Sequence, residues 1–387
     1  MDAFASYVPT RLYFGVGETR RLGTETAAIG RKALLMSGKS SARRSGLLDK
    51  AAGLLRGAGV QVFELSGVDP NPRLSTCLEG AQVCRRQGIE VIVAVGGGSV
   101  LDAAKTTAAA ALDDGDIWDV FLCKRQVASA VPLVTLVTLA ATGSELNSNS
   151  VIVNDKTRQK FSLHSEHVYP KVSILDPQLT AAVPREPTVH GAVDIIAHAL
   201  EGYLTAAGAS PLSDRTVEGL CKCVMESTER VLADPGDLGA RSDLMWCSTI
   251  ACSGYAGAGY GARYYDGHQI GHELSATYDL AHGATLSGLL PGVMSFHLKS
   301  RTPKLAQFAR RVFNVEGSWL DSETDVARKG IALFKAWCAR AGAPVTLKEM
   351  GVRKQELAAI AGRVTANPEA KNLSEADVRE ILSASFE

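Results

Sequence analysis

Three of the chain's eight histidines fall inside one short run, GHQIGHELSATYDLAHG, residues 267–283. His268 and His272 are four residues apart, and His282 follows ten later. A second pair lies in HGAVDIIAHALEG, where Asp194 and His198 are also four apart and share one face of a predicted helix. Around them the helix is apolar: Val193, Ile195, Ile196, Ala197, Ala199 and Leu200. A single histidine in a helix is usually a structural hydrogen-bonder. An acid and several imidazoles in apolar surroundings are costly unless paired or bound to a cation. One carboxylate with several imidazoles suits a divalent transition metal such as Fe2+ or Zn2+. HELSA lacks the second histidine of HExxH, so a metalloprotease helix is a poor fit.

A second kind of chemistry is offered by three turns that each follow a β-rich run. VGGGSVLDAAK (95–105) leaves a buried-type strand and opens a helix. Its Gly97, Gly98 and Ser99 let the backbone approach a ligand, and the helix N-terminus offers N–H groups to a phosphate. It is neither GxGxxG nor a Walker A loop, and a tight turn with no ligand would look the same. Asp102, in the first helical turn, either complements the helix dipole or bonds a ligand hydroxyl. LMSGKSSARRSG (35–46) offers Gly38, Lys39, Ser40 and Ser41, then Arg43 and Arg44. Dinucleotide folds place an acid in such a turn to bond the adenine ribose. None stands here to repel a 2′-phosphate, which argues for NADP over NAD unless these cations line a solvated helix face. TLAATGSELNSNS (138–150) adds Thr138, Thr142, Ser144 and Asn147. Three polar turns at successive strand ends fit a ligand site, because ligands gather at the carboxyl ends of parallel strands.

The elements that must carry these turns alternate. KALLMS, VQVFEL, IEVIVAV and AVPLVTLVTL read as strands, separated by the helical patterns SGLLDKAAGLLRGAG, STCLEGAQVCRRQG and VLDAAKTTAAAAL. This order predicts a parallel sheet with helices on both faces. Pro177, Pro184 and Pro187 then cluster, and the runs beyond them read as helices, among them 188–208, 215–233, 243–259, 302–313 and 375–386. The sequence therefore predicts an α/β domain over 1–180 and an all-helical domain over 181–387.

Composition narrows the class. Hydrophobic residues make up 46% and charged residues 21% of the 387, as in ordinary globular chains. Lys+Arg and Asp+Glu are both 41, so no basic stripe marks a nucleic-acid binder. The longest apolar run, VPLVTLVTLAA, falls short of the ~20 residues that span a bilayer. The N-terminus lacks the pattern of a signal peptide, and the eight cysteines are scattered without a CxxC. A cytoplasmic protein with reduced thiols is expected.

Taken together, GGGSVLDAAK, LVTLAATGSE, VDIIAHALEGY and GHQIGHELSATYDLAHG resemble the iron-containing (group III) alcohol dehydrogenases, with GHELSATYDLAH closest to their butanol-dehydrogenase-like branch. VPTRLYFGVGETRRLG and DPNP (69–72) fit as well. The resemblance implies a Rossmann-like domain, a helical domain of the dehydroquinate synthase-like architecture, and a cleft holding NAD(P) and one metal. It implies Asp194, His198, His268 and His282 as metal ligands, with His272 near nicotinamide and substrate as a catalytic group. It implies the pyrophosphate on Gly97, Gly98 and Ser99, and cofactor contacts from Asn71, Asp102, Thr138, Thr142 and Lys160. Relatives with aspartate at the Gly38 position tend to favour NAD, so Gly38, with Lys39 and Ser40 beside it, points to NADP, with NAD as the alternative. A homodimer acting on an alcohol or aldehyde is expected. Alternatives are a glycerol dehydrogenase- or dehydroquinate synthase-like enzyme, the latter with glutamate in place of Asp194, or a nucleotide-binding sensor without catalysis. In GYAGAGYGARYYDGHQIGH, Tyr260, Arg263, Tyr264 and Tyr265 fall where relatives vary. Arg263 either favours an anionic aldehyde or lies on the surface.

Overall fold

The computed structural model describes residues 1–318, 320–367 and 372–387. The chain divides into two compact units, Tyr7–Ala182 and Val183–Glu387, the latter joined by Met1–Ser6.

The first unit contains β1 (Arg11–Phe14), β2 (Lys32–Gly38), β3 (Gln61–Val68), β4 (Val91–Gly96), β5 (Leu133–Val137), β6 (Asn149–Asn154), β7 (Gln159–His164) and β8 (Val172–Leu175). Six of them form one sheet in the order β1-β8-β5-β4-β2-β3, with every neighbouring pair parallel. β4 and β5 are buried along their whole length, which is why VIVAVG and LVTLV are continuous apolar runs. Helices α1 (Leu22–Ala27), α2 (Ser41–Arg44), α3 (Leu47–Gly57), α4 (Leu74–Gln87), α5 (Gly98–Ala111) and α6 (Trp118–Phe121) complete the unit. α4 stops at Gly88 in the left-handed conformation that glycine tolerates best. β2, β4 and β5, the three strands that end in the polar turns, are adjacent in the sheet.

The sheet is larger than the sequence pattern predicts. β1 and β8 are four-residue strands that pair with each other, and β8 also pairs with β5. Their conformation is set by those partners rather than by a long periodic run. β6 and β7 form a separate antiparallel hairpin.

The second unit contains α7 (Arg185–Thr205), α8 (Pro211–Ala233), α9 (Leu238–Cys252), α10 (Asp266–Tyr278), α11 (His282–Phe313), α12 (Glu323–Ala341), α13 (Leu357–Thr365) and α14 (Glu375–Ala384). No strand occurs in it among the described residues. α7 is buried on nearly every side, as befits a helix apolar all round. α11 bends at Arg301, where Pro303 removes a backbone donor. α12 and α13 lie outside the runs expected as helices.

Candidate metal centre and nucleotide turns

α7 supplies Asp194 and His198 from one face, and the same face carries Glu201 one turn further on. α10 brings His268 and His272, and His282 opens α11. Between them Asp279 adopts a left-handed conformation (φ 53°) that turns the chain back towards α7. The two glycines that bound the histidine run are required by close approach. A Cβ on Gly283 would lie 2.0 Å from the His190 carbonyl oxygen, and one on Gly267 would lie 2.7 Å from Glu201 Oε1.

Three imidazoles converge on one oxygen. The Nε2 atoms of His198, His268 and His282 lie 3.5, 3.6 and 3.7 Å from Asp194 Oδ1. His198 Nε2 and His268 Nε2 are 3.3 Å apart. Donor atoms of Asp194, His268 and His282 all lie within 4.8 Å of one another. Ligand atoms held at about 2.0–2.2 Å by a tetrahedral divalent cation stand roughly 3.3–3.6 Å apart, so Asp194, His268 and His282 suit such an ion, and His198 approaches Asp194 and His268 at similar distances without belonging to that mutual set. His272 sits beside this group, its ring centroid 5.1 Å from that of His282 and 6.4 Å from that of His268.

Glu201 was not singled out from the sequence. Its Oε1 faces His268 Nδ1 at 3.0 Å, and its Oε2 accepts from the backbone N–H of Gly267 at 2.9 Å. This fixes which ring nitrogen of His268 points at Asp194, the usual task of a carboxylate behind a metal-ligating histidine. Its spacing, three residues after His198 and seven after Asp194, was the available signal.

The two neighbouring imidazoles His198 and His268 are shifted in opposite directions. Burial pushes the His198 imidazole down to about 4, and the neighbouring His268 pushes the same way. Burial also opposes charge on His268, but Glu201 and Asp194 outweigh it and raise that imidazole to about 9.

In the first unit, the residues expected near a dinucleotide gather at the carboxyl ends of β2 to β5. Gly97 precedes α5 and Gly98 opens it. A Cβ on Gly98 would lie 2.2 Å from Thr142 Oγ1, so the turn after β5 backs directly onto the N-terminus of α5. Thr138 donates its N–H to the Gly96 carbonyl at 3.0 Å. Ser99 donates to the Pro70 carbonyl at 2.5 Å, and buried Lys160 donates to buried Asn71 at 3.0 Å. Gly38 ends β2, and Ser40 precedes α2.

Two of these positions make contacts that their spacing in the sequence does not show. Asp102 faces inward: Oδ1 accepts from the Ser144 hydroxyl at 2.6 Å and Oδ2 from the Val151 N–H at 3.0 Å. Burial pushes its carboxyl up, with Lys105 opposing. The turn after β2 holds no carboxylate of its own, but Lys39 in it forms an ion pair with Asp69, which follows β3. Arg263 is half-buried rather than fully exposed.

Residues 9–177 match the family described as iron-containing alcohol dehydrogenase, and residues 188–386 match the C-terminal part of the Fe-containing alcohol dehydrogenase family. The chain belongs to the iron-containing alcohol dehydrogenase family. It is 39% identical to the probable NADH-dependent butanol dehydrogenase 1 of Bacillus subtilis, over 100% of both chains. It is 33% identical to the NADPH-dependent aldehyde reductase YqhD of Escherichia coli, over 93% of this chain and 92% of that one. The crystal structure of NADH-dependent butanol dehydrogenase A from Thermotoga maritima superposes with a TM-score of 0.94 at 38% identity, covering 100% of this chain and 99% of that one.

Proposed function

We propose that the chain is a metal-dependent alcohol dehydrogenase and aldehyde reductase that moves a hydride between NAD(P)(H) and a primary alcohol or aldehyde. The observation that carries this reading is the convergence of three imidazole Nε2 atoms on Asp194 Oδ1. In it, Asp194, His198, His268 and His282 hold one Fe2+ or Zn2+. When bound, the cation supplies Lewis acidity to the substrate oxygen and the nicotinamide supplies the hydride. Asp194 contributes the negative charge of the donor set. Glu201 holds the His268 ring so that Nε2 faces the other donors. His272, one ring beyond His282, passes the proton between substrate oxygen and solvent.

Residues 1–180 serve the dinucleotide and 181–387 the metal. Gly97, Gly98 and Ser99 receive the pyrophosphate at the N-terminus of α5. Asn71, Thr138, Thr142 and Lys160 line the cofactor, and Asp102 acts from behind by tying Ser144 and β6 to α5. Gly38, Lys39 and Ser40 face the adenine ribose. Lys39 favours a 2′-phosphate, but its pairing with Asp69 weakens that preference, so both NADPH and NADH are accepted. The named relatives include NADH- and NADPH-dependent enzymes, which supports this breadth. No helix among the described residues is long and apolar enough to cross a membrane. The reading includes a cytoplasmic homodimer whose partners are small molecules rather than nucleic acid or lipid.

Elemental analysis and nicotinamide absorbance with a panel of aliphatic aldehydes test the proposal. One Fe or Zn per chain and oxidation of NADPH or NADH are expected. A chain that takes up no metal and oxidises neither cofactor contradicts it.

A further inference from the structure

Asp194, His198 and Gly202 are successive positions on one stripe of α7, each four residues after the last. The third position has no side chain, and Arg263 fills its place. The Arg263 Cδ lies 3.2 Å from where a Cβ of Gly202 would be. The guanidinium carbon and NH1 stand at the same distance from where a Cβ of Gly257 would be. Two glycines thus form a seat that holds this arginine about 6 Å along the helix from His198.

The seat also fixes the orientation of the charge. Arg263 NH1 donates to the Gly257 carbonyl at 3.0 Å, and Nε donates to the Tyr265 hydroxyl at 3.3 Å. The Tyr265 ring in turn stands edge-on to His268, at 5.8 Å between centroids, and to His198, at 6.4 Å. A guanidinium has five N–H groups, and these two bonds occupy two of them. No carboxylate among the described residues lies within ion-pair distance of Arg263, whereas half-buried Lys304 in the same unit pairs with Asp214. A half-buried guanidinium anchored by two neutral acceptors, with N–H groups left over, suits a carboxylate that arrives with a ligand.

We infer that Arg263 selects substrates carrying a carboxylate at the end remote from the carbonyl, so that the preferred substrate is a short ω-carboxylated aldehyde. The inference rests on the aldehyde reductase reading above and names its substrate class. The donor cluster takes the carbonyl end, and Arg263, one helical turn away, takes the acid end. The neutral aldehyde of equal length lacks the second contact.

The test compares succinic semialdehyde with butanal, which match in carbon count and differ in the acid. The metal-loaded wild type is expected to show kcat/KM for the acid at least tenfold above that for butanal. Arg263→Gln is expected to lower this ratio by about tenfold to a hundredfold, and Arg263→Lys to retain part of it. The ratio cancels any loss of folded or metal-loaded enzyme. Saturation-transfer NMR on the metal-free chain gives a second readout: butyrate is expected to bind the wild type and not Arg263→Gln. A wild type that reduces butanal without preferring the acid, or a ratio unmoved by Arg263→Gln, overturns the arginine's role alone. A wild type that reduces neither aldehyde overturns the parent reading and this inference with it.

Discussion

α7 contributes to two buried polar clusters, and they are balanced in different ways. Towards one end, Tyr203 donates to Glu218 at 2.9 Å, and Gln307 reaches the Tyr203 hydroxyl, Asp214 and Glu218 at 2.9, 3.1 and 2.8 Å. Lys304 pairs with Asp214, Arg311 with Glu218, and Tyr260 donates to Asp214 at 2.9 Å. Two acids meet two fixed cations, two phenols and an amide, so the protein satisfies the cluster from its own side chains. Around Asp194, by contrast, three imidazole nitrogens crowd one oxygen at 3.5–3.7 Å. Complete pairing marks a structural brace; crowded donors sharing one acid mark a place for a ligand.

The sharpest way to break this contrast is to remove one acid from each cluster. Asp194→Ala is expected to abolish metal uptake and lower turnover by about a thousandfold or more, while the chain still folds, as read by elemental analysis and circular dichroism. Glu218→Ala should do the reverse. It strands Arg311, Gln307 and Tyr203, and is expected to cost about 3 kcal/mol of stability in denaturant unfolding while each folded molecule keeps its metal. If Glu218→Ala removes the metal, or Asp194→Ala unfolds the chain, the two clusters are not distinct in kind.

Smaller effects sharpen the roles inside the Asp194 cluster. His272→Ala is expected to keep the metal and slow turnover by about a hundredfold. Loss of metal in that variant would place His272 among the ligands. Glu201→Gln is expected to weaken metal affinity by about tenfold, measured by competition with a chelator, with turnover recovering at saturating metal. An unchanged affinity would make Glu201 a structural anchor for the Gly267 N–H alone.

The two clusters also differ in how far the sequence announces them. Asp194, His198, His268 and His282 stand out because polar groups at helical spacing interrupt apolar runs, and α7 and α10 need only form for each pair to align. The brace is invisible by the same means, since Gln307 lies 104 residues from Tyr203 and 89 from Glu218. Glu201 falls between. Its spacing is legible, but an acid beside Gly202 near a helix end reads equally well as solvated, and only the approach of Gly267 shows otherwise. In the sheet, β2 to β5 are long enough to be read locally, whereas β1 and β8 owe their conformation to each other. α12 carries a legible start, since Ser322 and Asp325 form a capping box, and a legible stop at Gly342. The Lys39–Asp69 pair and the inward turn of Asp102 depend on tertiary contacts that no spacing encodes.

Anomalous diffraction at the iron and zinc edges, from crystals of the protein as purified and after metal soaking, tests the central claim most directly. One peak is predicted about 2.0–2.3 Å from Asp194 and from the Nε2 atoms of His198, His268 and His282. A map with no peak there after soaking, and those four side chains turned towards other partners, would contradict it.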